Sequence, residues 1–188
     1  MNVYKLSADL DNYQNLYVED TVHRYINDHF HDRVPLRDSW KPLEVSILQF
    51  KRCGVDYGAL PANDFPKVGG MPVFSKRAVD SLRTILTDNG EVLPLLFEGK
   101  ADIYFAFNPL RLVDALDEDR SRLRRISTGQ VTAIEAYEFH PSRLNGETFF
   151  KIPQQRGRLY VTDGFLQRVV EASLTGFLFK PVWSSGMP

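Results

Sequence analysis

Residues 71–95 read MPVFSKRAVDSLRTILTDNGEVLPL, and residues 158–182 read RLYVTDGFLQRVVEASLTGFLFKPV. Both stretches have the same grammar. A short apolar run, Val73-Phe74 or Tyr160-Val161, has the β-branched and aromatic character of a strand. A polar residue follows that can cap a helix by accepting a first-turn amide: Ser75 in one stretch, Thr162 or Asp163 in the other. Helical spacing then puts Ala78, Val79, Leu82, Ile85 and Leu86 on one face, and Phe165, Leu166, Val169, Val170 and Leu174 on the other helix's face. Asn89-Gly90 and Gly176 supply exits, since these residues tolerate a left-handed conformation. A second apolar run, carrying Pro94 or Pro181, completes each unit. The reading is strand–helix–strand, written twice.

Sliding the sequence against itself by 87 positions also pairs Pro66 with Pro153, Gly70 with Gly157, Ile47 with Ile134, Phe50 with Tyr137 and Tyr17 with Tyr104. It pairs Asp32-Arg33-x-x-Leu36-Arg37 with Asp119-Arg120-x-x-Leu123-Arg124. A fixed period is the mark of repetition. We expect one domain over residues 1–188, built from pseudo-repeats at about 10–97 and 98–184, with 66–97 and 153–184 as superposable units. Further strands are expected at 3–6, 16–18, 43–50, 103–107 continuing to about 113, 130–140 and 149–152. Residues 53–72 are rich in Gly and Pro and read as a long loop. Residues 19–42 read as a polar loop with a helical turn, and 117–125 as a short charged helix. The expected fold class is α+β: a strand-rich mixed sheet with two amphipathic helices, burying Val79, Leu82, Leu86, Leu166, Val169 and Val170.

Composition narrows the functions. The apolar share is 43% and the aromatic share 12%, enough for a sizeable core and against disorder. Charged residues make up 25% but net to −1, without the basic excess of a nucleic-acid binder. No apolar run approaches the ~20 residues of a membrane helix. The start, MNVYKLSADLDNY, lacks the basic and apolar regions of a signal peptide. Cys53 is the single cysteine, which excludes internal disulfides and suits a reducing compartment. The expectation is a cytoplasmic protein with neither nucleic acid nor membrane as partner.

Candidate chemistry is thin. His29-x-His31-Asp32 offers two imidazoles and a carboxylate, but a metal site needs three or four converging ligands and no clear fourth stands nearby. Cys53 and His140 sit in no nucleophile signature. Gly69-Gly70 lacks the spacing and following Lys of a phosphate loop. Asp114, Asp117, Glu118 and Asp119, followed by Arg120, Arg122, Arg124 and Arg125, read as a salt-bridged surface suited to partner contact. No catalytic, cofactor or metal residue is expected.

Three segments carry a resemblance. The first is Met71-Pro72-Val73-Phe74-Ser75-Lys76-Arg77-Ala78-Val79 with Val92-Leu93-Pro94-Leu95. The second is Tyr104-Phe105-Ala106-Phe107-Asn108 with Arg111-Leu112-Val113-Asp114-Ala115-Leu116-Asp117. The third is Phe149-Phe150-Lys151-Ile152 with Leu159-Tyr160-Val161-Thr162 and Gly176-Phe177-Leu178-Phe179-Lys180-Pro181-Val182. Together, over about residues 45–183, they resemble family eleven of the bacterial polymorphic-toxin immunity proteins, whose type member is myxobacterial. The resemblance implies a cytoplasmic protein that binds a co-encoded toxin and blocks it. Such an inhibitor needs a few aromatic or Arg anchors within a contact of standard size. The expected contact residues are Tyr25, Phe30 and Trp40 in the polar N-terminal stretch, and Asp117, Glu118 and Arg120 in the charged one. The alternative is a small-molecule-binding domain or small enzyme that uses a cleft between the two halves.

Overall fold

A computed structural model describes residues 1–19 and 34–186. The N-terminal strands are β1 (Asn2–Ala8), β2 (Leu16–Tyr17) and β3 (Glu44–Ile47), followed by a small hairpin of β4 (Lys51–Arg52) and β5 (Val55–Asp56). β6 (Lys67–Val68) and β7 (Met71–Ser75) lead into α1 (Lys76–Ser81) and α2 (Arg83–Asn89), then β8 (Gly90–Pro94), β9 (Leu96–Phe97) and β10 (Tyr104–Pro109). A second hairpin, β11 (Arg122–Arg125) and β12 (Val131–Ala136), precedes β13 (Phe149–Phe150), β14 (Leu159–Thr162), α3 (Asp163–Glu171) and β15 (Phe177–Ser184).

Two four-stranded sheets dominate, with orders β6-β7-β10-β8 and β13-β14-β1-β15. Neighbours within each are antiparallel. β3 and β9 pair in parallel, so the fold is α+β, strand-rich and mixed, as expected. The two sheets share a layout: a short edge strand, the strand feeding the helix, a central strand, and the strand leaving the helix. In the first sheet the centre is β10, which follows its unit in sequence. In the second it is β1, from the other end of the chain. A shared strand order is less than a superposition, so duplication stands as an expectation.

Strand alternation explains the packing, because successive side chains face opposite sides of a sheet. Phe74 of β7 and Val161 of β14 point into one shared core, with Leu82, Leu86, Phe107, Phe149, Phe165 and Val169. Their neighbours Val73 and Tyr160 point the other way. Val73 joins Leu16, Leu36, Val45 and Leu93 on the outside of the first sheet. Tyr160 joins Val3, Leu116, Phe139 and Leu144 on the outside of the second. One face of each sheet and both helical segments thus meet in a common core, and each outer face is covered in part by its own excursions.

Several expectations are corrected. Val170 is 65% exposed, and Leu166 is only half-buried. Adjacent helix residues point about 100° apart, so α3, nine residues long, buries the stripe Phe165–Val169 and turns Val170 to solvent. The first helical segment is interrupted at Leu82, with φ −107°, yet Leu82 is still 1% exposed. Residues 117–125 are a turn and a strand. The Asp117 carboxylate accepts the Arg120 amide at 3.2 Å, a local bond that competes with helix, and Leu123 alternates with Arg122 and Arg124 as a strand requires. β10 ends at Pro109, and beyond it Leu112 makes an isolated bridge to Lys151. The 53–72 loop also holds β5, a 3₁₀ turn (Tyr57–Ala59) and β6. Ser75 caps α1 by accepting from the Ala78 amide at 3.1 Å, whereas the Thr162 hydroxyl donates to the Glu147 carbonyl at 2.7 Å and caps nothing. Gly90 is extended; it is there because a Cβ would lie 2.2 Å from the Asn108 carbonyl oxygen.

Asp163, in the first turn of α3, fastens the chain's N-terminus. Its carboxylate accepts from the Asn2 amide at 2.8 Å, the Asn2 side chain at 3.0 Å and the Tyr4 hydroxyl at 3.1 Å. Burial alone would raise its pKa; the bonds from Asn2 and Tyr4 outweigh burial and hold it below the ordinary aspartate value of 3.8. A depressed folded pKa gives stability that is present above the unfolded value and lost as pH falls through the folded one. Asp163→Asn is therefore expected to be less stable than the parent near neutrality, with the gap narrowing below pH 3.8. Denaturation midpoints across that range check it; a gap independent of pH contradicts it.

Candidate partner-contact surface

The charged segment expected to meet a partner forms the first arm of the β11–β12 hairpin. Leu123 and Ile134 pack on the outer core of the second sheet. Arg122 and Arg124, on the opposite face, both bind Glu135, at 3.0 and 2.8 Å. Arg125 pairs with Glu118 and donates to the Gly129 carbonyl at 2.8 Å. Glu118 also accepts from Gln154 at 2.7 Å; that bond first, and Arg125 second, hold its carboxyl below the usual range. Asp117 is half-buried, 3.8 Å from His140 Nδ1.

The structure brings Asp117, Glu118 and Arg120 together, in three different states. Asp117 serves the turn, and Glu118 is held by two partners. Arg120 is exposed, and its side chain has no hydrogen bond or ion pair among the described residues. Trp40 is elsewhere: it packs against the outer core of the first sheet and donates from Nε1 to the Pro94 carbonyl at 2.8 Å. Tyr25, Phe30, His29, His31 and Asp32 lie outside the described residues. Cys53 is exposed in the β4–β5 turn. Among the described residues, no three His, Cys, Asp or Glu side chains converge as metal ligands. Nor is any helix there long and apolar enough to cross a membrane.

A hollow of about 260 Å³ lies between the two sheets. Its walls come from the end of β1, the 65–72 stretch, Lys151 and residues 157–159. Three cations, Lys67, Lys151 and Arg158, line it, and no carboxylate does. They are far apart in sequence, so no local motif announces them. A second hollow, which includes Tyr17 and Leu48, shares Leu10, Lys67 and Gly69 with it.

No curated protein matches the chain. The model of the immunity protein family Imm11 matches residues 11–184, taking in both helical units and the hairpin, and the chain belongs to that family.

Proposed function

We propose that the chain binds a cognate bacterial toxin in the cytoplasm and neutralises it by one-to-one contact, without catalysis. Membership of an immunity protein family over residues 11–184 is the observation that carries this reading. The charged hairpin supports it, because an ordered rim of charges selects partners and speeds encounter. Arg120 is the member of that rim with most to offer a partner. Tyr25, Phe30, Trp40, Asp117 and Glu118 stand with it as proposed contacts, Trp40 the weakest of them because its indole is engaged at Pro94.

The hollow between the sheets speaks for the ligand-binding alternative. It lies just under the ~300 Å³ at which small-molecule sites begin, and its lining provides cations without an acid–base pair. A protein partner suits it better.

Co-expression with the toxin encoded beside this chain is the test. Cells are expected to survive, and toxin and chain to co-elute as a one-to-one complex on a sizing column. Death of the cells despite abundant folded protein, with no complex, overturns the reading. Arg120→Ala and Phe30→Ala, assayed in the same cells, discriminate the hairpin from the N-terminal stretch as the contact.

A further inference from the structure

We infer that the open outer face of the second sheet, bearing Lys5, Arg158 and Lys180, docks an acidic segment of the toxin. This rests on the immunity reading and names the chemistry of the contact.

The face follows from register. In β1, Tyr4, Leu6 and Ala8 point to the shared core, so Lys5 and Ser7 point outward beside Val3. Lys5 lies opposite Tyr160 on one side and Lys180 on the other, and Ser7 lies opposite Leu178. Arg158 precedes β14 by one residue and shares the outward side with Tyr160. Around Val3 this face is covered by Phe139, Leu144 and Trp183. Towards Ser7 it is open: Ser7, Arg158, Leu178 and Lys180 are all exposed.

Like charges directly opposite across two strands are destabilising. Burial, then Arg158 and Lys180, push the Lys5 ammonium below its ordinary pKa. Among the described residues none of the three cations has a carboxylate partner, whereas Arg111, Arg122, Arg124, Arg125 and Arg143 all do. On the covering excursion, the Glu138 carboxylate accepts from Trp183 Nε1 at 3.0 Å. The repulsion is therefore not relieved within the free chain, and an external anion relieves it.

The anion is best supplied by a protein. Leu178 is 46% exposed among the cations, and the adjoining hollows present Leu10 at 37% and Tyr17 at 41%. Apolar anchors beside desolvated charges are how protein interfaces are built. Nucleic acid asks for a long basic stripe on a basic domain, and this chain nets −1.

The experiment compares the full chain with the double variant Arg158→Glu/Lys180→Glu against the purified neighbouring toxin in an inactive form. Affinity is expected to fall at least tenfold, mainly through a slower association that no longer depends on salt, while the thermal midpoint of the free protein holds or rises. Unchanged affinity in the variant, with the parent binding tightly, overturns this surface and leaves the immunity reading standing. A parent that forms no complex overturns both. Tight binding of a DNA or RNA duplex by the parent, lost in the variant, also overturns the proposal. Should the double variant fold poorly, Lys180→Gln carries the same comparison with an expected loss of several-fold.

Discussion

Phe165→Ala is expected to cost about 3–5 kcal/mol of folding stability, a large part of the roughly 5–15 kcal/mol that holds a domain folded. Phe165 is fully buried on α3. Its ring lies 5.4 Å from Phe149, 6.2 Å from Phe177 and 6.3 Å from Phe179. Those partners come from β13 and β15, the two edges of the second sheet, so the side chain ties the helix across the whole sheet width. Strands hold the neighbouring rings in place, and the cavity left by truncation has little freedom to collapse. Val170→Ala is the control. It lies on the same helix but 65% exposed, and its cost is expected within about 0.5 kcal/mol. Urea midpoints for the two variants check the contrast. Similar shifts for both overturn the helix-face assignment.

The strand–helix–strand units were legible because their signals are local. The amide that Ser75 caps belongs to Ala78, three residues on, and alternation in Val73-Phe74 or Tyr160-Val161 needs only the neighbouring residue. Pro94 has no amide hydrogen for a sheet ladder, and β8, which carries it, is the edge of its sheet. Val170 shows the limit: helical spacing names a side of the helix, and tertiary contact decides how wide the buried stripe is. The segment 117–125 shows another. Its run of charges suits a surface helix by propensity, but the partner that makes it a strand, Val131–Ala136, is set by long-range pairing.

Which charged residues lie together in the fold was legible in proportion to their sequence continuity. Asp117, Glu118 and Arg120 form one run and fold into one hairpin base. Trp40 looked like an exposed anchor because nothing nearby in sequence accepts its indole N–H; the acceptor, Pro94, is 54 residues away. Lys5, Arg158 and Lys180 come together only because β1 inserts between β14 and β15, a placement that no local pattern announces.

The same long-range logic makes Asp64→Ala the second large effect. Asp64 is 5% exposed. Its Oδ1 accepts the Ser75 hydroxyl at 2.6 Å, and its Oδ2 accepts the Thr175 amide at 2.9 Å, with the Arg77 guanidinium 3.6 Å away. The Ser75 bond turns the hydroxyl's lone pairs towards the Ala78 amide and so sets the cap of α1. The Thr175 bond reaches the turn that feeds β15, in the other strand–helix–strand unit. Hydrogen bonds to a charge contribute about 1.5–3 kcal/mol each, so losing both is expected to cost roughly 3 kcal/mol or more. Ser75→Ala removes the cap together with the hydroxyl's bond to Asp64, leaves the Thr175 bond in place, and is expected to cost about 1–2 kcal/mol. The difference between the two variants isolates the tie between the units. Urea denaturation measures it, and amide exchange adds position: Asp64→Ala exposes the Ala78 and Thr175 amides together, while Ser75→Ala exposes Ala78 alone. If Asp64→Ala proves no worse than Ser75→Ala, the carboxylate serves only the helix cap, and the two units are held together by apolar packing without it.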